Sequence, residues 1–249
     1  MFKNLRKKLN VVLTGNVGTG NSSFREEWLK VVLSEIPKGK KILDAGAGES
    51  QYKIYCEHLD YIAQDFAMYD GVGDSKGIQK EKRDYSNLDI VSDITSIPIE
   101  NDYFDAVMCI EVFEHLPNPI EALLELNRVL KPGGKLILTA PFASLTHYSP
   151  YHYATGFNKY FYEHHLKNID HESIRIEANG NYFEFLAQEV RRINTVSQKY
   201  SGKKTNLLVK LGINIVLYFL NSSSLNDKGS DEILNFGYNV VSTKSKSFE

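Results

Sequence analysis

Five short apolar runs, four of them ending at or next to an acidic residue, constrain the fold of this chain more than any other feature. They lie at 41–43, 61–63, 88–91, 104–110 and 135–139. Their lengths are typical of buried strands, and residues 119–130 have the spacing of an amphipathic helix that ends at the Lys-Pro-Gly-Gly of 131–134. Strands that alternate with helices predict an α/β fold with a parallel sheet wound on both faces. Ligands of such sheets bind at the carboxyl ends of the strands, where these acidic residues lie.

Composition narrows the class of protein. A chain of 249 residues with 42% hydrophobic and 24% charged residues can form one α/β domain with a sizeable core. The formal net charge of −2 provides no overall attraction for nucleic acid. Cys56 and Cys109 lack metal-site spacing and are too few for a disulfide framework. We expect both to be buried thiols in a reducing compartment.

Two segments raise the question of targeting or membrane contact. The N-terminus, MFKNLRKKLNVVLTG, is basic and then apolar too briefly for a signal peptide. The apolar stretch 207–220 contains Lys210 and is shorter than the roughly 20 residues of a spanning helix. We expect a buried or half-buried helix there, with peripheral membrane contact or a homodimer face as the alternatives, and a cytoplasmic protein.

The stretch LTGNVGTGNSS, residues 13–23, resembles a phosphate-binding loop without its lysine. Gly15, Gly20 and Ser22 have the spacing of that loop, but Asn21 stands where the lysine reaches the phosphates. A phosphotransferase is therefore disfavoured. We expect a flexible loop over 14–23 that can close over a ligand as a lid, followed by a helix over 24–36 with Ser22 or Ser23 as its N-cap.

The first apolar run leads into ILDAGAGES, residues 42–50, which is the most informative stretch. Gly46 and Gly48 form a tight turn in which backbone amides can approach a ligand closely. A dinucleotide-binding turn needs a third glycine, which is absent here. Asp44 precedes the turn directly, and its carboxylate suits a cationic or amine-bearing ligand better than a pyrophosphate.

Further short motifs follow at compatible spacings. They are Asp65-Phe66 after the second run, Asp93-Ile94 after the third, CIEVFEHL at 109–116, and RVLKPGG at 128–134. Together with the glycine turn they resemble the class I S-adenosylmethionine-dependent methyltransferases over about residues 40–142. The resemblance implies a Rossmann-like sheet of seven mostly parallel strands with helices on both faces and an antiparallel last hairpin. It also implies a single domain over 1–249: a loop and helix cover at 1–39, a cofactor-binding core at 40–142, and an acceptor-side cover with the last strands at 143–249.

The same resemblance implies S-adenosylmethionine as the cofactor and assigns residues to it. The assigned residues are Asp44, Ala45, Gly46, Gly48, Asp65, Phe66, Asp93, Ile94, Ile110 and Glu111. The glycine turn holds the methionine part, Asp65 accepts from the two ribose hydroxyls, and Asp93 accepts from the adenine amine. Simpler roles exist for some residues. Asp44 and Asp65 also suit helix N-caps, Asp93 suits the start of a turn, and Cys109 suits the core.

Residues 142–165, which follow the fifth run, contain eight Phe or Tyr residues and four of the seven histidines. Pro141-Phe142, His147, Pro150 and Tyr153 resemble a pattern of glycan and sugar-cluster methyltransferases, although Ala154-Thr155 stands where that pattern has arginine. Tyr148, Tyr151 and Tyr153 are candidates to stack on the acceptor, and His147, His152 or His115 is a candidate general base. His115 also suits a structural role. No His-x-x-x-His pair or acidic triad lies within this segment, so we expect no metal site.

The reaction expected from these residues is O-methylation of a small-molecule or sugar hydroxyl by in-line transfer with a histidine base. One alternative is a methyltransferase-like binding protein without turnover, and another is N-methylation of a small amine or nucleotide sugar. A nucleic-acid methyltransferase is disfavoured by the balanced charge and by IEVF in place of the N-P-P-[FYW] motif of amino-directed DNA enzymes.

Overall fold

This computed structural model describes residues 15–79 and 83–246. The seven strands are β1 (Lys41–Ala45), β2 (Asp60–Asp65), β3 (Ile90–Val91), β4 (Phe104–Ile110), β5 (Leu130–Pro141), β6 (His171–Asn179) and β7 (Gly237–Lys244). The α-helices are α1 (Asn21–Ser34), α2 (Pro119–Val129), α3 (Lys159–Asn168), α4 (Tyr182–Ser201) and α5 (Leu207–Leu225). Short 3-10 helices form at Lys53–Tyr55, Phe113–His115 and Ser230–Glu232.

The strands form one sheet in the order β3-β2-β1-β4-β5-β7-β6. The pairs β1–β2, β1–β4, β2–β3 and β4–β5 are parallel, whereas β7 pairs antiparallel to β5. The predicted fold class, a mostly parallel α/β sheet of seven strands, is confirmed. Because β1 is flanked by β2 and β4, the carboxyl ends of these three strands meet at one edge of the sheet.

Three of the five predicted strands have the expected bounds to within one or two residues. The third is shorter, with only Ile90–Val91 in the ladder, and β5 extends back through the expected turn to Leu130. Strand β6 was not predicted, because most side chains of His171–Asn179 are at least partly exposed and its apolar residues are few. Among the described residues between β1 and β4, the only helix is the single 3-10 turn at Lys53–Tyr55, so the predicted alternation is incomplete there.

One hydrophobic core lies between α1 and the central strands. Leu29, Val32 and Leu33 of α1 are fully buried and pack with Ile42 of β1 and Met108 of β4. Both cysteines are free, buried thiols, as expected from their apolar surroundings. The core role of Cys109 is confirmed, since burial raises the pKa of its thiol well above the ordinary value.

The described chain divides into two compact units. One contains the described residues up to Glu26 together with Ala178–Phe236, and the other contains Glu27–Glu177 together with the described residues from Gly237 onward. The first unit is therefore discontinuous in sequence, and its main elements are α4, α5 and the stretch that begins at Gly15. The second contains most of the sheet.

The glycine-rich stretch is anchored within the first unit. Val17 is 2% exposed, and the Arg191 guanidinium donates to the carbonyls of Val17 (2.7 Å) and Gly15 (3.2 Å). The amide of Gly18 donates to a carboxylate oxygen of Glu184 at 2.6 Å. Gly18 has φ +77°, and a Cβ there would lie 2.3 Å from the backbone nitrogen of Gln188, so a side chain cannot fit.

The flexible lid expected over 14–23 is thus wrong for residues 15–23, which form a fixed turn and the start of α1. The helix begins at Asn21, so Ser22 and Ser23 lie in its first turn instead of at the N-cap. The amide that a phosphate would need at Gly18 already binds a carboxylate. Residues 1–14, which include the basic N-terminus, and residues 80–82 and 247–249 lie outside the described part.

Helix α5 is more exposed than the buried or half-buried helix expected over 207–220. It is 19 residues long, which by length and composition alone is enough to cross a membrane, and only Leu217 and Leu220 are buried. Its large exposed side chains are Leu207, Leu208, Val209, Leu211, Ile215, Val216, Tyr218, Phe219 and Leu225. The helix is longer than the apolar stretch 207–220, because it continues past residue 220 through a run of Asn and Ser.

We expect Arg191→Ala to lower the free energy of unfolding by about 2 kcal/mol, because it removes a charged donor from two carbonyls that hold the N-terminal turn. Urea unfolding followed by circular dichroism measures this change. The matched control is Arg192→Ala, which removes a partly exposed ion pair with Glu189 and should cost less than about 1 kcal/mol. Equal losses in the two variants would contradict the anchoring role of Arg191.

Candidate active site

The turn after β1 is bonded to the end of β2. The amides of Gly46 and Ala47 both donate to the carbonyl of Gln64, at 2.8 and 2.9 Å. The amide of Gly48 donates to the Asp65 carboxylate at 2.9 Å. Gly46 has φ +76°, and a Cβ there would lie 2.5 Å from a methyl of Val112. The turn therefore requires glycine at this position for both conformation and space.

Asp44, the last polar residue of β1 before the turn, is 1% exposed. The Tyr61 hydroxyl donates to its carboxylate at 2.6 Å. Desolvation raises the pKa of Asp44 to about 7, although the Tyr61 hydrogen bond acts in the opposite direction and nearby Asp65 adds to the rise. This carboxyl is poised to ionise when a cation approaches, which fits the cationic ligand inferred from the sequence. The helix-cap alternative for Asp44 is wrong, because the residue lies inside a strand.

Asp65 ends β2 and is 7% exposed. One of its oxygens accepts from the amide of Gly48 and the other from the amide of Ala67 at 2.8 Å. A carboxylate offers about four acceptor positions, so two backbone bonds leave capacity for a ligand diol. Phe66, the next residue, is 38% exposed and makes an edge-to-face contact with Tyr151 at 5.2 Å between ring centroids.

The remaining residues assigned to the cofactor lie after β3 and β4. Asp93 caps a local turn, accepting from the amide and hydroxyl of Thr95 at 2.8 Å each, which is the turn role allowed from the sequence. Ile94 beside it is buried, as is Ile110 at the end of β4. Glu111 has φ +57° and accepts from the Thr139 hydroxyl at 3.0 Å. A non-glycine residue in this conformation is strained, and such strain is concentrated at functional sites.

All three candidate base histidines come together next to this edge. The ring centroids of His115 and His147 lie 4.7 Å apart, and those of His147 and His152 lie 4.9 Å apart. His115 belongs to the 3-10 turn that follows β4, whereas His147 and His152 lie on the loop after β5. The Glu114 carbonyl ties the two segments, because it accepts from the amides of Tyr153 and Ala154 at 2.9 and 3.2 Å.

Glu114 lies within the CIEVFEHL motif, and the sequence alone assigns it no chemical role. Its side chain is 1% exposed, and its Oε1 lies 3.6 Å from Nε2 of His115 and 3.8 Å from Nε2 of His147. The sequence signal for this residue was its place in EVFEHL, yet the contact with His147 arises from the loop after β5. We call Glu114, His115, His147 and His152 the histidine cluster.

The three histidines differ in electrostatic environment. Burial, with a smaller contribution from nearby His147, lowers the pKa of His115 to about 3, so this ring is neutral at physiological pH. Burial also lowers the pKa of His152. The His152 Nε2 lies 3.1 Å from the Ser144 hydroxyl, which itself donates to the Thr155 carbonyl, so Nε2 carries the proton and Nδ1 is the acceptor atom.

The three candidate substrate tyrosines are placed differently. Tyr148 lies 5.1 Å from the His115 ring, and Tyr151 contacts Phe66 and Tyr69. Tyr153 is 54% exposed and has none of the ring contacts described for the other two. Tyr148 and Tyr151 therefore link the histidine cluster to the residues beside Asp65.

Known proteins share both sequence and fold with this chain. Residues 43–138 match the family model described as "Methyltransferase domain". The demethylmenaquinone methyltransferase of Renibacterium salmoninarum is 29% identical over 197 residues, which is 77% of this chain and 75% of that protein. The ubiquinone biosynthesis O-methyltransferase of Dechloromonas aromatica is 29% identical over 123 residues, 47% of this chain and 50% of that protein.

The crystal structure of a SAM-dependent methyltransferase from Archaeoglobus fulgidus superposes with a TM-score of 0.54 at 16% identity, over 92% of this chain and 97% of that one. At that identity the superposition concerns the fold. The family model supplies the sequence link, since it spans β1 to β5 and so includes the glycine turn and both acidic strand ends. The match of residues 43–138 to the methyltransferase domain, the methyltransferase relatives and the shared fold together support a class I S-adenosylmethionine-dependent methyltransferase.

Proposed function

We propose that this enzyme transfers the methyl group of S-adenosylmethionine to a hydroxyl on a small planar ring, of the phenol or quinol type, at the histidine cluster. The observation that carries this proposal is the position of the cluster: His115 lies four residues after Glu111, at the same sheet edge as Asp44 and Asp65. A methyl donor on the glycine turn and an acceptor on the cluster therefore meet at one edge.

The cofactor half of the proposal rests on complementary charge. S-adenosylmethionine carries a cationic amine and a sulfonium, and Asp44 is a buried carboxyl beside the glycine turn. The adenosine ribose presents a diol, and Asp65 holds a carboxylate fixed by two backbone amides at the end of the neighbouring strand. Fixed donors and acceptors of this kind position the methyl group without reorganisation during the reaction.

The acceptor half rests on aromatic surface and on the relatives. Phe66, Tyr151, Tyr69 and Tyr148 form a connected set of rings between Asp65 and the cluster, and aromatic faces stack on planar rings. The names of two relatives refer to quinones, and one of these names specifies an O-methyltransferase. Sugars also stack on aromatic rings, so a sugar hydroxyl is the competing acceptor.

In the proposed reaction the acceptor oxygen attacks the methyl carbon in line with the sulfur. The O–CH₃ bond forms as the S–CH₃ bond breaks, and the sulfonium becomes a neutral thioether. The hydroxyl proton passes to Nδ1 of His152, whose Nε2 proton is held by Ser144. We assign the proton to His152 because Nε2 of both His115 and His147 already faces Glu114.

The direct test is methyl transfer from labelled S-adenosylmethionine to soluble quinols, catechols and nucleotide sugars. Transfer to a phenolic oxygen would support the proposal. Transfer only to nucleotide sugars would show that the acceptor is a sugar hydroxyl instead. Micromolar binding of S-adenosylhomocysteine with no transfer to any hydroxyl would favour a binding protein or an amine acceptor.

Replacing Asp65 tests the ribose site. We expect Asp65→Ala to weaken binding of S-adenosylhomocysteine roughly 10- to 100-fold, because a charge-assisted acceptor of two hydroxyls is lost. Calorimetric titration measures the affinity. The matched control is Asp70→Ala, since Asp70 is an exposed carboxylate that also accepts from two backbone amides, those of Val72 and Gly73. Unchanged affinity in Asp65→Ala would overturn the placement of the ribose.

The raised pKa of Asp44 predicts proton release when the cofactor binds. The folded protein holds a proton on Asp44 between about pH 4 and pH 7 that the unfolded chain does not, so this group's contribution to stability falls as pH rises through that window. A cationic amine nearby favours the carboxylate. Titration of S-adenosylhomocysteine at pH 6 in two buffers of different ionisation enthalpy should therefore show proton release, which disappears at pH 9 and in Asp44→Asn. Equal release in Asp44→Asn would contradict this role.

The proton acceptor is tested by His152→Ala. We expect kcat to fall about 100-fold or more with little change in cofactor affinity, since general base catalysis is lost. His164→Ala is the control, because His164 lies exposed on α3 and contacts Asn168 in its own helix. If kcat in His152→Ala equals that of the control, His152 is not the proton acceptor.

A further inference from the structure

The geometry of the histidine cluster fits a ligand other than the acceptor. One carboxylate oxygen of Glu114 and one ring nitrogen each of His115 and His147 all lie within 4.8 Å of one another. Two of the separations are 3.6 and 3.8 Å. A tetrahedral metal ion with bonds of about 2.0–2.1 Å places its ligand atoms roughly 3.4 Å apart. These two separations would need to shorten by only a few tenths of an ångström.

Both imidazole rings are already held in the tautomer that a metal requires. The Nδ1 of His115 lies 2.5 Å from the Tyr151 carbonyl, and the Nδ1 of His147 lies 2.8 Å from the Leu145 carbonyl. A carbonyl only accepts, so each Nδ1 carries the proton and each Nε2 presents a lone pair. Backbone carbonyls that fix the ring and proton of a histidine in this way are the usual support of metal ligands.

An independent observation points to a missing partner. The Nε2 of His115 is buried and makes no hydrogen bond within the described part of the chain. A buried polar nitrogen without such a bond is costly, and the lone pair faces the Glu114 carboxylate, which can offer it no proton when ionised. A cation between the two would give Nε2 of His115 the partner that it lacks.

We propose that Glu114, His115 and His147 bind one first-row divalent metal ion, with Zn²⁺ as the best match to the donor set. Two imidazoles and one carboxylate are borderline ligands that suit zinc or iron, whereas magnesium and calcium prefer an all-oxygen set. Three protein ligands leave a coordination position open, which is the pattern of catalytic sites. The expectation of no metal considered residues 142–165 alone, and two of the three ligands come from the turn after β4.

The role of the ion rests on the proposed function, whereas its binding does not. A hydroxyl of the acceptor in the open position would ionise more readily, since a bound cation lowers the pKa of a coordinated oxygen. The proton then passes to His152, and the oxygen attacks the methyl carbon as the sulfonium becomes a thioether. The metal is not consumed and no electron is transferred.

The test is metal binding by the full-length protein without cofactor or acceptor. After treatment with a chelator, equilibrium dialysis against Zn²⁺ should give one tightly bound ion per chain, and Co²⁺ should give the visible absorption of a four- or five-coordinate site. We expect His147→Ala, in which a half-buried loop histidine is removed, to lower Zn²⁺ affinity at least 100-fold. Glu114→Gln should lower it similarly, provided its circular dichroism matches that of the wild type.

His164→Ala is the matched control, because His164 and His165 form a second histidine pair on α3 with ring centroids 4.9 Å apart. Zn²⁺ binding that is absent from the wild type, or that is lost in His164→Ala and kept in His147→Ala, would overturn the proposal. Affinity for S-adenosylhomocysteine, measured on the same variants, should be unchanged. Stoichiometric Zn²⁺ binding without methyl transfer to any hydroxyl would retain the metal site and reject the proposed function instead.

Discussion

The site depends on the hydrogen bonds that join the turn after β1 to the end of β2. Gly46 and Ala47 donate to the Gln64 carbonyl, and Gly48 donates to the Asp65 carboxylate. These bonds fix the glycine turn and also orient Asp65. The residues assigned to the methionine part and to the ribose of the cofactor are therefore held by the same contacts. The close packing of Gly46 on Val112 extends this coupling to the turn after β4, and hence to Glu114 and His115.

A second constraint is the concentration of buried carboxyl groups at one sheet edge. Asp44, Asp65 and Glu114 are all buried, and burying three negative charges close together is costly. The raised pKa of Asp44 is one response to that cost. Cationic ligands are another, because a sulfonium cofactor and a divalent ion would each neutralise part of the charge. On electrostatic grounds alone, this edge of the sheet therefore favours positively charged ligands.

Local patterns in the sequence predicted the centre of the fold well, and the residues that they assign to the cofactor lie at the ends of its strands. Strands β1 and β4 are buried on both faces over most of their length, and β2 is buried over its last three residues, so short apolar runs mark all three. The glycine turn follows β1 directly, and Asp65 ends β2. What could not be predicted depends on contacts distant in sequence. Arg191 and Glu184 form hydrogen bonds to a turn more than 150 residues earlier in the chain. The segment expected to be a flexible lid is therefore held in place. The pairing of Glu114 with His147 depends on how the loop after β5 packs, and no spacing rule encodes it.

The discontinuity of the first unit has a consequence for folding during synthesis. The turn at Gly15–Gly18 is bonded to Arg191 and Glu184, which emerge from the ribosome only after strands β1 to β6. At typical translation rates the N-terminal turn waits on the order of ten to thirty seconds for these partners. During that interval Val17 and the N-terminal part of α1 lack the helices that later cover them, so a nascent chain stalled before α4 would be a natural target for chaperones. Residues 15–18 therefore reach their folded conformation only after part of the last third of the chain has been synthesised.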